Sequence, residues 1–286
     1  MSRRRLGSEL RRFREEAGMT LEQAGSALEC SVSKISRLET GKGLPKQRDV
    51  RDLVRLYGKE AEQGLERLLR WARDGARSGW WQEYTPLLTA EPFVFDGVDR
   101  YVALESDAST IRCFDMSAFH GLLQQADYAR MILNEVLPVH SKSEIDRLLE
   151  FRMRRQEVLS RNEAPLRVES VIDQCVIDRM MGTDSRTARK QLAHVVELAG
   201  LSNISIQILP YSSGFVRACQ GSFLVLEFAE SLDQDVVFVE NQAGTSYLEG
   251  DFGVGTFRTI FEGARSKAIG ALESRDLLVS ALARLS

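Results

Sequence analysis

The chain has 286 residues, of which 43% are hydrophobic and 28% charged, and its net charge is −3. This length predicts about two domains, and the composition excludes a mainly disordered chain because it supplies a core for each. Apolar runs stay well below the roughly 18 residues of a membrane span. No apolar signal-peptide segment follows the basic first residues. We therefore expect a cytoplasmic protein with no membrane partner.

Cysteine and histidine are few and scattered along the chain. The four cysteines show no paired spacing, and neither do the three histidines. A structural zinc site needs clustered ligands, and disulfide frameworks belong to small secreted chains. The sequence therefore predicts reduced thiols, no metal site and no cofactor. These residues are Cys30, Cys113, Cys175, Cys219, His120, His140 and His194.

The charges are distributed unevenly between the two ends of the sequence. Residues 1–79 carry 18 basic against 12 acidic residues, whereas the remainder carries 20 against 29. A basic segment attached to an acidic body favours a polyanionic partner for the basic segment. Charge alone indicates nucleic acid only weakly.

Apolar residues recur at helical spacing in residues 1–79 and predict five helices. Thr20 with Gln23 three residues later is typical of a capping box. Ser31 is placed to cap the third helix, and Pro45 opens the fourth at its favoured first position. The predicted helices cover residues 6–17, 21–28, 32–39, 45–57 and 61–73.

Two short helices joined by a tight turn predict a helix-turn-helix, whose second helix enters the DNA major groove. Lys34 and Arg37 on that helix can donate paired hydrogen bonds to guanine. The free N–H groups at the starts of both helices can bind phosphate, as can the basic residues that follow. The predicted DNA contacts are Thr20, Leu21, Ser31, Ser33, Lys34, Ser36, Arg37, Lys42 and Lys46.

Residues 19–24 and 31–41, which include the run Ser-Val-Ser-Lys-Ile-Ser-Arg-Leu-Glu-Thr-Gly, resemble the xenobiotic-response-element (Cro/repressor-type) helix-turn-helix family. The run is most similar to the actinobacterial branch. This resemblance implies a DNA-binding transcriptional regulator, often called a repressor. Two residues depart from the family pattern. Gly25 replaces alanine and should weaken its helix by about 1 kcal/mol, and Glu29 replaces the glycine of the turn and should adopt a left-handed conformation.

The rest of the chain predicts a second, mixed domain. Residues 1–73 form the DNA-binding domain, 74–82 a linker and 83–286 an α+β domain rather than a repeating βαβ sheet. Within the second domain a turn leads into a helix at 120–130. The other predicted helices cover 100–108, 143–159, 186–198, 256–267 and 274–285. Ser143 is placed to cap the helix 143–159, whose solvent face is predicted to carry Arg152, Arg154 and Arg155. The predicted strands are 111–114, 166–172, 204–209, 222–228 and 236–240.

Four short segments of this second domain resemble a C-terminal domain of uncharacterised function found in WhiJ-like developmental regulators. The resemblance implies regulation, often with a small partner protein, and no known ligand. Phe119-His120 stands where that family commonly has Val-Pro. The four segments are 121–130, 206–210, 221–223 and 247–249.

Catalytic motifs are largely missing, so we predict no catalytic residues and no enzyme. The glycine-rich stretch 250–255 lacks the βαβ context of a dinucleotide site and predicts a loop. One alternative stays open. Arg167, Ser222 and then Glu240 or Glu249 follow the Arg–Ser–Glu order of some ADP-ribosyltransferases, which act on NAD. Surface or partly buried ion pairs explain these charged residues equally well.

A sensor pocket is the other reading of this domain. Aromatic residues near the strands, namely Phe215, Phe223, Phe228, Phe238 and Tyr247, either line an apolar cleft or form the core. The candidate polar anchors for a ligand are Arg167, Gln207, Ser222 and Glu240.

The sequence thus predicts a nucleoid-associated transcriptional regulator that binds double-stranded operator DNA. Its C-terminal domain receives a small molecule or a partner protein. A homodimer is expected, because one such module makes few base contacts and two half-sites multiply affinity. The alternatives are an enzyme acting on a nucleotide and a partner-controlled interaction module.

Overall fold

The computed structural model describes residues 2–41, 43, 46–58, 61, 64–76, 80–88, 98–162, 164–229 and 234–285. The chain divides into two compact units, one formed by residues 1–80 and the other by residues 81–229 with 234–286. This division falls within the segment 74–82 that the sequence predicted as a linker. Lys42 and Pro45, which carried two predictions, lie outside the described residues.

The first unit is helical in all of its described regular structure. Its helices are α1 (Ser2–Glu16), α2 (Leu21–Ala27), α3 (Val32–Glu39), α4 (Gln47–Tyr57) and α5 (Leu65–Ala76). The fifth helix is predicted from residue 61, and the structure describes Ala61 as helical and the continuous helix from Leu65. It also continues three residues beyond the predicted end at Arg73.

Local capping starts the two helices of the helix-turn-helix. The Thr20 hydroxyl accepts from Gln23 N–H at 3.2 Å, and the Gln23 side chain accepts from Thr20 N–H at 2.8 Å. This confirms the capping box at the start of α2. The Ser31 hydroxyl accepts from Lys34 N–H at 3.2 Å, which confirms the cap of α3. Both caps satisfy backbone donors that a helix start leaves without partners.

One apolar core holds these helices together, and every helix of the first unit contributes to it. The fully buried side chains include Leu6 and Leu10 of α1, Ile35 of α3 and Leu53 of α4. Leu68 of α5 closes the cluster. The helical spacing predicted each of these as inward-facing, so the sequence placed the core correctly.

The second unit contains a six-stranded mixed sheet in the order β3-β2-β1-β4-β5-β6. The strands β1, β2 and β3 are parallel to one another, and β4, β5 and β6 run antiparallel to their neighbours. This confirms the α+β class, with a parallel half and an antiparallel half. The strands are β1 (Thr110–Asp115), β2 (Arg167–Asp173), β3 (Ile204–Leu209), β4 (Phe223–Glu227), β5 (Val236–Asn241) and β6 (Gly244–Glu249).

Helices connect the parallel strands and pack on the sheet. Two helices cross from β1 to β2 and two from β2 to β3, because parallel strands need long connections. Helices of this unit are α6 (Thr85–Leu88), α7 (Val98–Asp107), α8 (Ala126–Val136), α9 (Lys142–Arg155), α10 (Gln174–Met181), α11 (Ser185–Leu198), α12 (Asp251–Arg265) and α13 (Ala271–Ala283). None of the described helices is long and apolar enough to span a bilayer.

Two predictions for this unit were wrong in position, and one strand was not predicted. The stretch 250–255, predicted as a loop, forms the first turn of α12 after Gly250, whose φ is +94°. Ser141 rather than Ser143 caps α9, through a capping box with Glu144. Strand β6 was missed, because its polar residues lack strand alternation and it is ordered by pairing with β5.

Candidate functional site

The recognition helix α3 presents one polar face and one buried face. Ile35 and Leu38 are 1% and 4% exposed and anchor the helix to the core. Ser33 and Arg37 are exposed on the opposite side. Helix α3 thus buries Ile35 and Leu38 and leaves Ser33 and Arg37 in solvent, as its helical spacing predicts.

The other predicted DNA contacts occupy different environments. Thr20, Ser31 and Lys46 are exposed, whereas Ser36 is half-buried and Leu21 packs partly against the core. The hydroxyls of Thr20 and Ser31 accept the capping hydrogen bonds. A phosphate would therefore meet backbone N–H groups at these positions, with the hydroxyls as neighbours.

Lys34 has a partner that the sequence did not reveal. Its ammonium donates to the Asp49 carboxylate of α4 at 2.9 Å, and its side chain is less than half exposed. This ion pair holds α3 against α4 and offsets the charge of Lys34. On this geometry Arg37 is the better candidate for base contact, and Lys34 must leave Asp49 to reach DNA.

The turn between α2 and α3 explains both departures from the family pattern. Glu29 has φ +50°, which confirms the left-handed conformation expected there. A Cβ atom at Gly25 would lie 2.9 Å from the Cys30 carbonyl oxygen, closer than real Cβ contacts occur. The glycine therefore has a packing reason beyond helix propensity, because it lets the turn fold back onto α2.

Two contacts between α1 and α3 were missed by sequence reasoning. Arg14 donates to both carboxylate oxygens of Glu39, at 2.7 and 2.9 Å, and both residues are at most 8% exposed. Arg14 also donates to the Met19 carbonyl at 2.7 Å. Gly7 lies directly against the end of α3, where a Cβ atom would meet the Glu39 carbonyl oxygen at 2.4 Å. The charge pattern alone could not pair residues 25 positions apart.

The second unit contains a cavity of about 910 Å³ at one end of the strands of its sheet. The carboxyl ends of β1 and β5 and the start of β4 lie at this end of the sheet, because Phe114 pairs with Phe223 and Leu224 with Phe238. The cavity therefore lies beyond the carboxyl end of the parallel strand β1, which is the side of an open α/β sheet on which ligands bind. The volume lies within the range of small-molecule sites.

The cavity has an apolar wall and several polar groups. Residues of α8 and α9 form the apolar wall, together with the aromatic rings of Phe223 and Phe238 from the sheet. Arg152, Gln124 and Glu240 contribute polar atoms. The apolar residues from the two helices are Ile132, Leu133, Val136, Leu148 and Phe151.

The structure separates the four predicted ligand residues. Ser222 and Glu240 line the cavity. Arg167 starts β2 at the opposite end of the sheet, is paired with Glu169 at 2.9 Å, and does not line the cavity. Gln207 lies on the edge strand β3 and donates to the Ile269 carbonyl at 3.1 Å. Two of the four candidates therefore meet in one place, and the other two have structural partners.

The Arg–Ser–Glu order does not form a cluster in space. Arg167 pairs with Thr110, whereas Ser222 precedes the residue paired with Phe114. Four residues of strand separate these levels by roughly 13 Å. Glu249, the alternative acid, forms an ion pair with Arg100. The three residue types are thus distributed over both ends of the sheet.

The aromatic residues proposed to line a cleft also divide. Phe223 and Phe238 do line the cavity, whereas Phe215 is 75% exposed. Tyr247 packs edge-on against Phe238 at 5.2 Å between ring centroids. Phe228 is not among the lining residues.

The arginines of α9 correct another expectation, since the sequence placed Arg152, Arg154 and Arg155 on a solvent face. Arg155 instead donates two 2.8 Å hydrogen bonds to Glu105, which is 1% exposed. Arg152 turns into the cavity and donates to Gln124 Oε1 at 2.8 Å. The charge run therefore belongs in part to the interior of the domain.

Two buried acid–base groups border the cavity, and burial favours the neutral form of each. Burial lowers the pKa of His120 to about 4, against the attraction of Glu105. His120 Nδ1 accepts from Leu122 N–H at 3.4 Å, so Nε2 carries the proton beside the Tyr101 hydroxyl at 3.1 Å. Burial raises the pKa of Asp115 to about 7, and its Oδ2 atom has no hydrogen-bond partner among the described residues.

We expect Asp115→Asn to change how stability depends on pH. The carboxyl has a higher pKa folded than its ordinary 3.8, so the stability it contributes is full below about pH 4 and is lost as the pH rises through 7. The free energy of unfolding of the variant, measured relative to that of wild type, should therefore increase by on the order of 2–4 kcal/mol from pH 4.5 to pH 7.5.

Urea unfolding of both proteins at the two pH values measures this difference. The acid sensitivity of His120 is common to both proteins and cancels in the comparison. A stability difference that is the same at pH 4.5 and 7.5 would show that Asp115 titrates normally.

In the described part of the chain, no group of three His, Cys, Asp or Glu side chains is arranged to hold a metal ion.

Comparison with known families agrees with this division of the chain. Residues 5–74 match the family described as "Helix-turn-helix domain", which supports a DNA-binding regulator of the xenobiotic-response-element type. Residues 98–280 match the family described as "Domain of unknown function (DUF5753)". No curated protein and no solved structure matches the chain. Because the second match spans well over half of its length, the chain belongs to the DUF5753 family, with a helix-turn-helix domain at its N-terminal side.

Proposed function

We propose that this DNA-binding regulator acts on specific operators at the nucleoid, as a homodimer, and that the cavity of its second unit binds a small-molecule effector. The observation that carries the first part is the outward face of α3. It presents Ser33 and Arg37 at full exposure, while Ile35 and Leu38 fix the helix to a rigid core. A fixed helix with exposed donors is what sequence readout in a major groove requires.

The effector part of the proposal is supported by the cavity. It is formed by residues from several separate helices and strands, including Tyr101 of α7 and Phe238 of β5. A ligand bound there would alter the packing of helices α8 and α9 on the sheet. We propose binding rather than catalysis, since Arg167, Ser222 and Glu240 do not converge.

Arg37→Ala tests the DNA-reading role. We expect it to cost about 1–3 kcal/mol of operator affinity and to relax the sequence preference at one position, because a paired contact to guanine is lost. The operator is first obtained by selection from a random duplex library, and affinities are then measured on the selected site and its single-base variants.

Lys46→Ala is the matched comparison. Lys46 is exposed beside α4 and is proposed to contact phosphate. Its loss should weaken binding to all sequences alike and flatten the dependence of affinity on salt. If Arg37→Ala left both the affinity and the selected sequence unchanged, α3 would not be the reading helix.

Native mass spectrometry of the protein purified from its host distinguishes a small-molecule effector from a partner protein as the signal that the second unit receives. It reports the subunit number, small-molecule adducts and bound proteins together. An adduct of fixed mass supports the effector. A small protein bound without any adduct favours the partner-controlled module, and a monomer on DNA contradicts the dimer.

A further inference from the structure

We infer that the cavity of the second unit binds a small organic acid, with a single carboxylate held by Arg152 and an apolar body against α8 and α9. This inference rests on the proposed effector function and names the chemical class of the effector. It follows from the charges and surfaces that line the cavity.

Arg152 supplies the fixed positive charge. Its guanidinium lines the cavity, and its one hydrogen bond among the described residues goes to the neutral Gln124 amide. A guanidinium has five N–H donors, so most of them remain available in this partly buried place. An arginine in this half-buried position, attracted by Glu240 but without an ion pair among the described residues, has its charge poorly balanced, and an anionic ligand group that accepts two parallel hydrogen bonds would balance it.

The neighbouring arginine shows why Arg152 is the ligand-binding one. Arg155 lies on the same cavity but gives two hydrogen bonds to Glu105. Its charge is therefore balanced inside the protein. Burial lowers the pKa of Arg152 to about 10, so the side chain stays cationic near neutral pH.

The acids of the cavity limit the ligand to one negative charge. Glu240 faces Arg152 across the cavity but forms no ion pair in the described part of the chain. Asp115 is 7% exposed and also lines the cavity. A doubly charged phosphate monoester would meet repulsion from Glu240 and would add to the cost of ionising Asp115, whereas a carboxylate carries half that charge.

The apolar wall selects the rest of the ligand. Leu133, Leu148 and Phe151 are each at most 3% exposed, and they stand in a row on two packed helices. Phe223 and Phe238 lie among the lining residues from the sheet. An alkyl or aryl body buried between these surfaces gains affinity in proportion to the apolar area it removes from water.

Isothermal titration calorimetry on the full chain tests this assignment. The probes are octanoate and 4-phenylbutanoate, each compared with the alcohol and the ammonium ion of the same carbon skeleton. We expect both carboxylates to bind at least about tenfold tighter than their alcohols and ammonium ions, since a hydrogen-bonded charge pair distinguishes them. Equal binding of the three head groups, or no binding of either carboxylate, would overturn the inference without reference to any variant.

Variants then locate the charge. Arg152→Gln should abolish the preference for carboxylate, and Arg152→Lys should restore part of it. The matched control is Arg154→Gln, which removes the same charge two residues away, at a side chain that pairs with Glu83 and does not line the cavity. Glu240→Gln should tighten carboxylate binding, because it removes a competing negative charge. An unchanged preference in a folded Arg152→Gln protein would contradict the role of Arg152.

The effect on DNA is measured separately, so that the two proposals fail independently. Operator affinity is determined with and without octanoate. Carboxylate selectivity without any change in operator affinity would retain the ligand class and refute the effector role. Operator binding that is intact in a protein with no carboxylate selectivity would retain the DNA-binding proposal and refute the ligand class.

Discussion

Gly7→Ala is expected to destabilise the DNA-binding unit by about 3 kcal/mol or more. The added methyl carbon would lie 2.4 Å from the Glu39 carbonyl oxygen and 2.6 Å from that of Leu38. Both oxygens belong to backbone at the end of α3, which cannot rotate away as a side chain would. Helix α1 must therefore move off α3, and the recognition helix loses its support.

Hydrogen exchange resolved along the chain, together with operator affinity, measures the effect. Amides of α1 and α3 should exchange faster, and operator binding should weaken. Gly263→Ala in α12 is the matched control, because a Cβ atom there meets nothing within 4 Å and alanine favours helix. The close approach would be refuted if Gly7→Ala proved as stable as the control variant.

Glu39→Gln is expected to cost about 3–5 kcal/mol, because it leaves the Arg14 guanidinium buried without its counter-charge. The pair is bidentate, and the hydrogen bond to Glu39 is the main cause that raises the pKa of Arg14. It connects the last turn of α1 to the last residue of α3. The loss should therefore appear in the same two helices as that of Gly7→Ala.

Glu15→Gln provides the contrast on the same helix. Glu15 pairs with Arg11 at 2.8 Å and lies 3.7 Å from Arg14, but its side chain and that of Arg11 are more than half exposed, so its loss should cost far less than that of Glu39. Urea unfolding curves of the two variants make the comparison. The double variant Arg14→Met with Glu39→Leu should regain most of the stability, since it removes both charges from the core. Equal losses in Glu39→Gln and Glu15→Gln would mean that the buried pair behaves as a surface pair.

Residues close together in the sequence determined much of this fold. Thr20 with Gln23, and Ser31 with the N–H of Lys34, cap their helices through contacts three residues apart. Strand β3 coincides with its predicted bounds because buried apolar residues alternate with the half-buried polar residues Ser205 and Gln207 along most of its length. Short-range hydrogen bonds and periodic burial are properties that one sequence contains by itself.

Tertiary structure decided the features that join distant residues. Strand β6 has few apolar residues and is ordered by its pairing with β5. The start of α12 tolerates glycines because later residues of the helix, such as Phe261, are buried on the sheet. The sequence predicted a helix from 256, but the earlier turn depends on that packing.

The candidate sites divide in the same way. The sequence identified Arg37 as an outward residue, since helical spacing fixes which side of α3 faces the core. It placed Arg152 and Arg155 in solvent, because no residue near them in the chain indicates that they contact Gln124 and Glu105. Gly7 and the Arg14–Glu39 pair were likewise invisible until α1 packed on α3. Periodicity encodes which face of an element is buried, whereas the partner that meets that face is set by the packing of the whole domain.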